Sequence, residues 1–168
     1  MSYHIYTTPG VVLSARSVRE ADRIYSILTR DLGLIQATAI GVRKGESKHR
    51  GSLEPFTISS ISLVRGKEYW RITSAESLRS VPNKEEIARP LALLEKLVQG
   101  EAHNPELYNA VESAIWSTPS VDHDEMWEIG FVAQILFHLG YLKEADLSLE
   151  KKDLITAINE GLRESHLN

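Results

Sequence analysis

Thr57-Ile58-Ser59-Ser60-Ile61-Ser62-Leu63-Val64 is followed by the turn Arg65-Gly66-Lys67 and then by Tyr69-Trp70-Arg71-Ile72-Thr73-Ser74. The first run is rich in β-branched residues and sets Ile61 and Leu63 against Ser60 and Ser62, the alternation of a strand with one buried and one wet face. The second run repeats it, with Trp70 and Ile72 inward and Arg71 and Thr73 outward. With a turn sequence between them, the two runs predict a hairpin. Upstream, 11–15, 24–29 and 34–40 supply three more strand-like runs separated by polar or Gly-containing breaks. Five short strands in about 75 residues predict a small barrel, which removes exposed sheet edges by closing on itself.

After Ser80-Val81-Pro82-Asn83 the period changes from strand to helix. Leu91, Leu94, Leu97 and Val98 form an apolar stripe that stops at Gly100. Asn104-Pro105 reads as an N-cap with proline at the first helical position, and Leu107, Val111, Ala114 and Ile115 continue that helix to Ser117-Thr118-Pro119. The run 125–139 is apolar on most sides and is predicted to be the central buried helix, ended by Gly140. A last helix starting near Ser148 carries Leu154, Ile158 and Leu162 at four-residue spacing. The predicted organisation is a five-stranded barrel over 1–80 and a small all-α domain over 81–168.

The chain has 168 residues, 42% of them hydrophobic, and no Cys. A chain of this size buries roughly 68–70% of its unfolded surface, so it needs no staples. The lack of Cys excludes disulfides, thiolate nucleophiles, iron–sulfur clusters and Cys-based zinc sites. A membrane span needs about 20 apolar residues, and the best run, 129–137, is interrupted by Gln134. The N-terminus shows no cationic start followed by a long apolar run, so a cytoplasmic protein is expected. The net charge of −4 hides two opposed halves: 12 Lys+Arg against 7 Asp+Glu up to Pro82, and 7 against 16 from Asn83 onward. The first half suits a polyanionic partner, although two solvated surfaces of opposite sign would show the same numbers.

Between Arg19 and Phe56 the sequence runs Arg19-Glu20-Ala21-Asp22-Arg23, Leu28-Thr29-Arg30-Asp31-Leu32-Gly33, Gly41-Val42-Arg43-Lys44 and Ser47-Lys48-His49-Arg50-Gly51-Ser52-Leu53-Glu54-Pro55-Phe56. In order and spacing this set resembles the RecO family of bacterial recombination mediators, beginning at Gly10-Val11-Val12-Leu13 and extending to about Glu76. The second half resembles the family's helical domain more loosely, through Asn104-Pro105-Glu106-Leu107-Tyr108 and Phe137-His138-Leu139-Gly140-Tyr141-Leu142. The resemblance implies an N-terminal OB-fold, the architecture the strand count suggests independently, followed by a helical domain. It implies a non-enzymatic protein that binds single- and double-stranded DNA, anneals strands, and works with RecR and single-stranded-DNA-binding protein to load RecA. The chain is shorter than typical members and lacks the four-Cys zinc motif many carry after the Gly-Tyr-Leu match. No cofactor or metal is expected.

Residues 43–50 carry Arg43, Lys44, Lys48, His49 and Arg50 against the lone acid Glu46. An exposed loop of this kind reaches phosphates without desolvation, and the same composition also serves as a solubilising connection. Arg65, Lys67 and Arg71 on the late hairpin extend the strip. Arg19 and Arg23 sit beside Glu20 and Asp22, so local ion pairing competes there with phosphate contact. Stacking of bases calls for aromatics, and Tyr25, Phe56, Tyr69 and Trp70 are available. Trp70 falls on the Ile72 side, the reading of a core residue. Tyr69 falls with Arg71 and is the stacking candidate, with burial in the barrel as its alternative.

An enzymatic reading would start at Asp122-His123-Asp124-Glu125, with His103 and His138 elsewhere, as a metal-dependent phosphohydrolase. Adjacent residues on one turn point apart, and acids at a helix start are accounted for by capping. His138 is expected near the core. Residues 41–45 are no Walker loop, since Gly45 is followed by Glu-Ser. The rival to DNA binding is therefore not catalysis but a protein-interaction adaptor built on the same barrel. The tail of single-stranded-DNA-binding protein would need an apolar pocket with a cation on the helical half, where Arg89 and Lys143 are candidates.

Overall fold

One strand, β1 (Ile5–Ser17), is long enough to serve two neighbours. In the computed structural model, which describes residues 4–18, 22–40, 49, 51–120 and 124–166, its first part pairs with β4 (Thr57–Val64) from Ile5↔Val64 to Val11↔Ile58. Its second part pairs with β2 (Arg23–Thr29) from Gly10↔Thr29 to Ser17↔Arg23. A register shift between Val12 and Ser14 turns it from one partner toward the other. β3 (Gly33–Ala39) pairs with β2, and β5 (Trp70–Ser80) with β4, all antiparallel. Two parallel pairs, Ala37↔Trp70 and Thr38↔Arg71, join β3 to β5. The order β1-β2-β3-β5-β4 thus closes into the five-stranded barrel of an OB-fold.

The predicted hairpin is β4 and β5, with Ile61, Leu63, Trp70 and Ile72 buried as expected. Two strands are longer than their patterns suggest. β1 starts at Ile5 rather than at 11, because Thr7-Thr8-Pro9-Gly10 does not alternate apolar and polar residues. β5 runs on to Ser80, exposing Glu76, Ser77 and Leu78 in succession, so no alternation marks its continuation. Inside, large side chains face small ones: Ala15, Tyr25, Ala37 and Trp70 are in register across four strands. Val12, Ile27, Ile35, Leu53, Ile61 and Leu63 complete that core, each buried aliphatic side chain contributing about 1.5–3 kcal/mol.

The β2–β3 turn is fixed by its own polar groups. Thr29 Oγ1 donates to the Gly33 carbonyl at 2.8 Å and accepts from the Leu32 N–H at 3.0 Å. Gly33 has φ +73°, and a Cβ there would run into the Ala102 carbonyl, so both backbone shape and space require glycine. The segment Gly100–Pro105 accordingly belongs to the barrel's compact unit with Met1–Val81, while Pro82–Gln99 and Glu106–Asn168 make the second unit.

The second unit holds α1 (Lys84–Leu97), α2 (Pro105–Trp116), α3 (Glu125–His138) and α4 (Lys151–Glu164). α1 buries Ile87, Leu91, Leu94 and Leu97, and α2 begins at Pro105 as its cap sequence predicts. α4 begins at Lys151 rather than near Ser148, because Glu144–Ser148 forms a 3-10 turn whose start is tied by Asp146 accepting from the Lys143 N–H at 2.8 Å. α3 is central in this unit, packing against α1, α4 and the 3-10 turn, but its expected burial needs correction. α3 buries only Phe131, Ala133, Ile135 and Leu136, and Met126 is 51% exposed. Its apolar surface extends most of the way round, but α1 and α4 cover only part of it. His138, expected near the core, is half-buried.

Candidate nucleic-acid interface

Across the outer face of the barrel, the strand registers align Arg16 with Ile24, Ile24 with Thr38, and Thr38 with Arg71. Two arginines from the ends of the barrel sequence thereby reach one row, three strand spacings or about 14 Å apart. Two adjoining depressions of about 350 and 370 Å3 lie along this row and share Thr38, Ile40, Glu68 and Tyr69. One adds Val18, Asp22, Arg23 and Ile24; the other adds Gly66, Lys67 and Arg71. They form one shallow groove with Tyr69 at its middle.

Tyr69 immediately precedes β5 and is half-exposed. Its phenolic oxygen accepts from Arg16 Nη2 at 3.4 Å, so one edge of the ring is held while the rest stays available. The turn that presents Lys67 is tight: a Cβ on Gly66 would collide with the Tyr69 carbonyl. Ile40 and Val18, 71% and 51% exposed, put apolar surface beside the ring. Aromatic and apolar faces flanked by guanidinium and ammonium groups are what an unpaired strand needs, bases stacking while phosphates meet cations. The carboxylates of Asp22 and Glu68 also line the groove.

Of the residues singled out from sequence, Arg23, Lys67, Tyr69 and Arg71 come together here. Arg65 is drawn elsewhere: its Nη1 bonds both oxygens of Glu101 at 2.9 and 2.7 Å, and its guanidinium lies 4.7 Å over the Trp70 ring. Trp70, buried in the core, donates its indole N–H to the same carboxylate at 3.0 Å. Tyr25 is buried too, and burial pushes its phenol up from the ordinary value, so it offers no stacking face. Phe56 is half-buried at φ 67°, its N–H held by the Val12 carbonyl at 2.7 Å. His49 is half-buried, and its carbonyl accepts from the Leu53 N–H. Arg19, Arg43, Lys44, Lys48 and Arg50 lie outside the described residues. Ile40, the last described residue before that segment, lines the groove.

Arg16, Val18 and Ile40 were not singled out from sequence. Arg16 sits in a polar stretch of β1, and only the cross-strand register brings it to Arg71. Farther along the chain, Asp124 caps α3 by accepting from the Trp127 N–H at 3.0 Å, and Glu125 pairs with Lys151 at 2.7 Å. Asp122 and His123 lie outside the described residues. Among the described residues, no His, Asp and Glu side chains group as a metal site, and no helix is long and apolar enough to cross a membrane.

Residues 1–81, the barrel, match the family model of the recombination protein O N-terminal domain. The chain belongs to the RecO family. The DNA repair protein RecO of Dehalococcoides mccartyi strain BAV1 is 33% identical over 148 residues, covering 84% of this chain and 58% of that protein. The RecO of Trichodesmium erythraeum is 33% identical over 147 residues, 80% of this chain and 51% of that protein. That of Heliobacterium modesticaldum is 29% identical over 163 residues, 94% and 59% respectively. The chain thus spans somewhat over half the length of the curated RecO proteins it matches. In those alignments the similarity continues past the barrel into the helical unit.

Proposed function

We propose that this chain is a DNA-binding recombination mediator that holds single-stranded DNA on the barrel, anneals complementary strands and assists RecA loading in recombinational repair. The supporting observation is the groove centred on Tyr69, where Arg16, Arg23, Lys67 and Arg71 surround exposed aromatic and apolar surface. Annealing then follows from charge screening. A basic surface that holds two strands loosely lets their bases sample one another while the phosphates are partly neutralised, and specificity comes from the base pairs. Double-stranded DNA meets the same cations without the stacking. The RecO relationship supports RecR and single-stranded-DNA-binding protein as partners and work in the cytoplasm at the nucleoid. The reading assigns no catalytic residue and no cofactor.

The test is binding and annealing of fluorescent oligonucleotides at two salt concentrations, with Arg43, Lys44, Lys48 and Arg50 replaced together by Glu. Four counterions released by these residues contribute roughly −3 to the log–log salt slope on a single strand, and the groove arginines add to it. The quadruple variant should neither bind nor anneal, with its thermal midpoint nearly unchanged, since exposed substitutions shift stability by about 0.5 kcal/mol or less. Wild-type annealing by a folded variant would remove the loop from the DNA surface. Salt-independent or absent DNA binding by the native chain would favour the second reading, a protein-interaction adaptor, which draws its support from an apolar groove in the helical unit.

A further inference from the structure

α2 and α3 leave a groove of about 700 Å3 between them, within the second unit. On the α2 side, Ala110 and Ala114 form a low wall one helical turn apart. On the α3 side stand Trp127 and Phe131, their ring centroids 5.5 Å apart. Between these walls Gly130 leaves the floor open, for a Cβ there would meet nothing within 4 Å. Met126, on the lining, and Trp116, at the end of α2, are 51% and 57% exposed. Leaving large apolar side chains uncovered forfeits about 25 cal/mol per Å2 of surface, and such patches mark docking sites.

The charge around this groove says what kind of segment fits. The 39 residues from 104 to 142, which supply both walls, hold six carboxylates (Glu106, Glu112, Asp122, Asp124, Glu125, Glu128) and no Lys or Arg. Asp124 caps α3, Glu125 meets Lys151, and Glu128 meets Arg89 at 3.5 Å. Glu106 is exposed and lines the groove itself. Among the described residues, His138 is the one lining group able to carry a positive charge. An acidic apolar tail would bring its carboxylates to Glu106 with no Lys or Arg on the lining to receive them, and neither Arg89 nor Lys143 lines this groove.

We propose that the α2–α3 groove docks a cationic amphipathic helix of a protein partner. Apolar side chains at i, i+4 and i+7 of that helix enter between Ala114 and Phe131, and Lys or Arg on its flank faces Glu106, the carboxylate on the described lining. The site is separate from the DNA groove and does not depend on it.

The full chain is titrated with a fluorescein-labelled peptide of roughly 18 residues carrying a Leu seam flanked by Lys, with a twin flanked by Glu, and with a Lys peptide whose Leu are replaced by Ser. The Lys–Leu peptide should bind, weaken with salt, and exceed both others by about tenfold. Gly130→Leu fills the floor and should weaken binding about tenfold, at an unchanged or raised thermal midpoint, because Leu is the better helix former. Glu106→Lys should weaken the Lys–Leu peptide severalfold and strengthen the Glu twin. Equal binding of the three peptides, preference for the Glu twin, or full binding by folded Gly130→Leu overturns the proposal. Concentration-dependent self-association of the chain that Gly130→Leu abolishes also overturns it, since the occupant is then a second copy. Should Gly130→Leu not fold, the exposed Glu106→Lys variant decides alone: unchanged affinity for the Lys–Leu peptide overturns the proposal.

Discussion

The Arg65 guanidinium lies over the Trp70 ring, 4.7 Å from its centroid, and both groups end on the carboxylate of Glu101. Tyr6 meets the same indole edge-on, with centroids 5.3 Å apart. A cation already stacked on a ring and bonded through Nη1 to both oxygens of one carboxylate gains little by moving to a phosphate. Arg65→Ala should therefore change single-strand affinity by less than about twofold and lower the thermal midpoint by about 2–4 °C, the size of a loss near 1 kcal/mol. Fluorescence anisotropy and a melting curve on one preparation check both halves.

Tyr69 should behave in the opposite way. In the proposed interface its ring would supply stacking, worth about 1–3 kcal/mol per base, whereas its hydroxyl receives only a long bond from Arg16. Tyr69→Ala is expected to weaken oligonucleotide binding by roughly 5- to 100-fold, and Tyr69→Phe to retain most of it. Equal losses in the two variants would assign the hydroxyl, and hence Arg16, the larger part.

Each arginine of the outer row should be visible as one counterion. Arg16→Ala and Arg71→Ala are each expected to reduce the magnitude of the salt slope for single strands by about 0.7, and the double variant by about 1.4. Binding measured across a series of potassium chloride concentrations reads this directly. An unchanged slope in the double variant would move the path of the strand off this row.

At the β2–β3 turn, hydrogen bonds from Arg30 first and Thr8 second hold the Asp31 carboxyl below the ordinary value. A carboxyl depressed in the folded state contributes stability that is complete above its unfolded value, about 3.9, and is lost as pH falls through the folded one. Asp31→Asn should melt slightly below the native chain at neutral pH, and the gap should close progressively below about pH 4. Asp31 is exposed, so the gap is small and shrinks with added salt.

The β4–β5 hairpin was legible because one face of each strand packs on the core and the other is wet, the condition under which alternation carries information. β1 was only partly legible: Thr7 to Gly10 sit where the strand is already paired with β4, and their order of side chains follows no period of two. α3 showed its apolar extent but not its cover, since periodicity reports which faces are greasy and not which neighbours arrive. The candidate interface divides similarly. Lys67, Tyr69 and Arg71 follow from one turn and one alternation, whereas Arg16 and Arg71 are 55 residues apart and come into one row only through three registers. The loss of Arg65 to Glu101 depends on a side chain in the connection between α1 and α2 that no local pattern links to the hairpin.

The barrel's seam has its own consequence. Every other joint is a long antiparallel ladder, but β3 and β5 are stitched by two residue pairs, and one member of each joint residue set, Thr38 and Arg71, also lines the groove. A hoop with one short weld is expected to spring there first. A strand of nucleic acid laid over Thr38 and Arg71 would bridge that weld like a splint, so those amide protons of 37–38 and 70–71 that point across the seam, rather than into the β2–β3 or β4–β5 ladders, are expected to exchange early in the free protein and to slow when an oligonucleotide is bound.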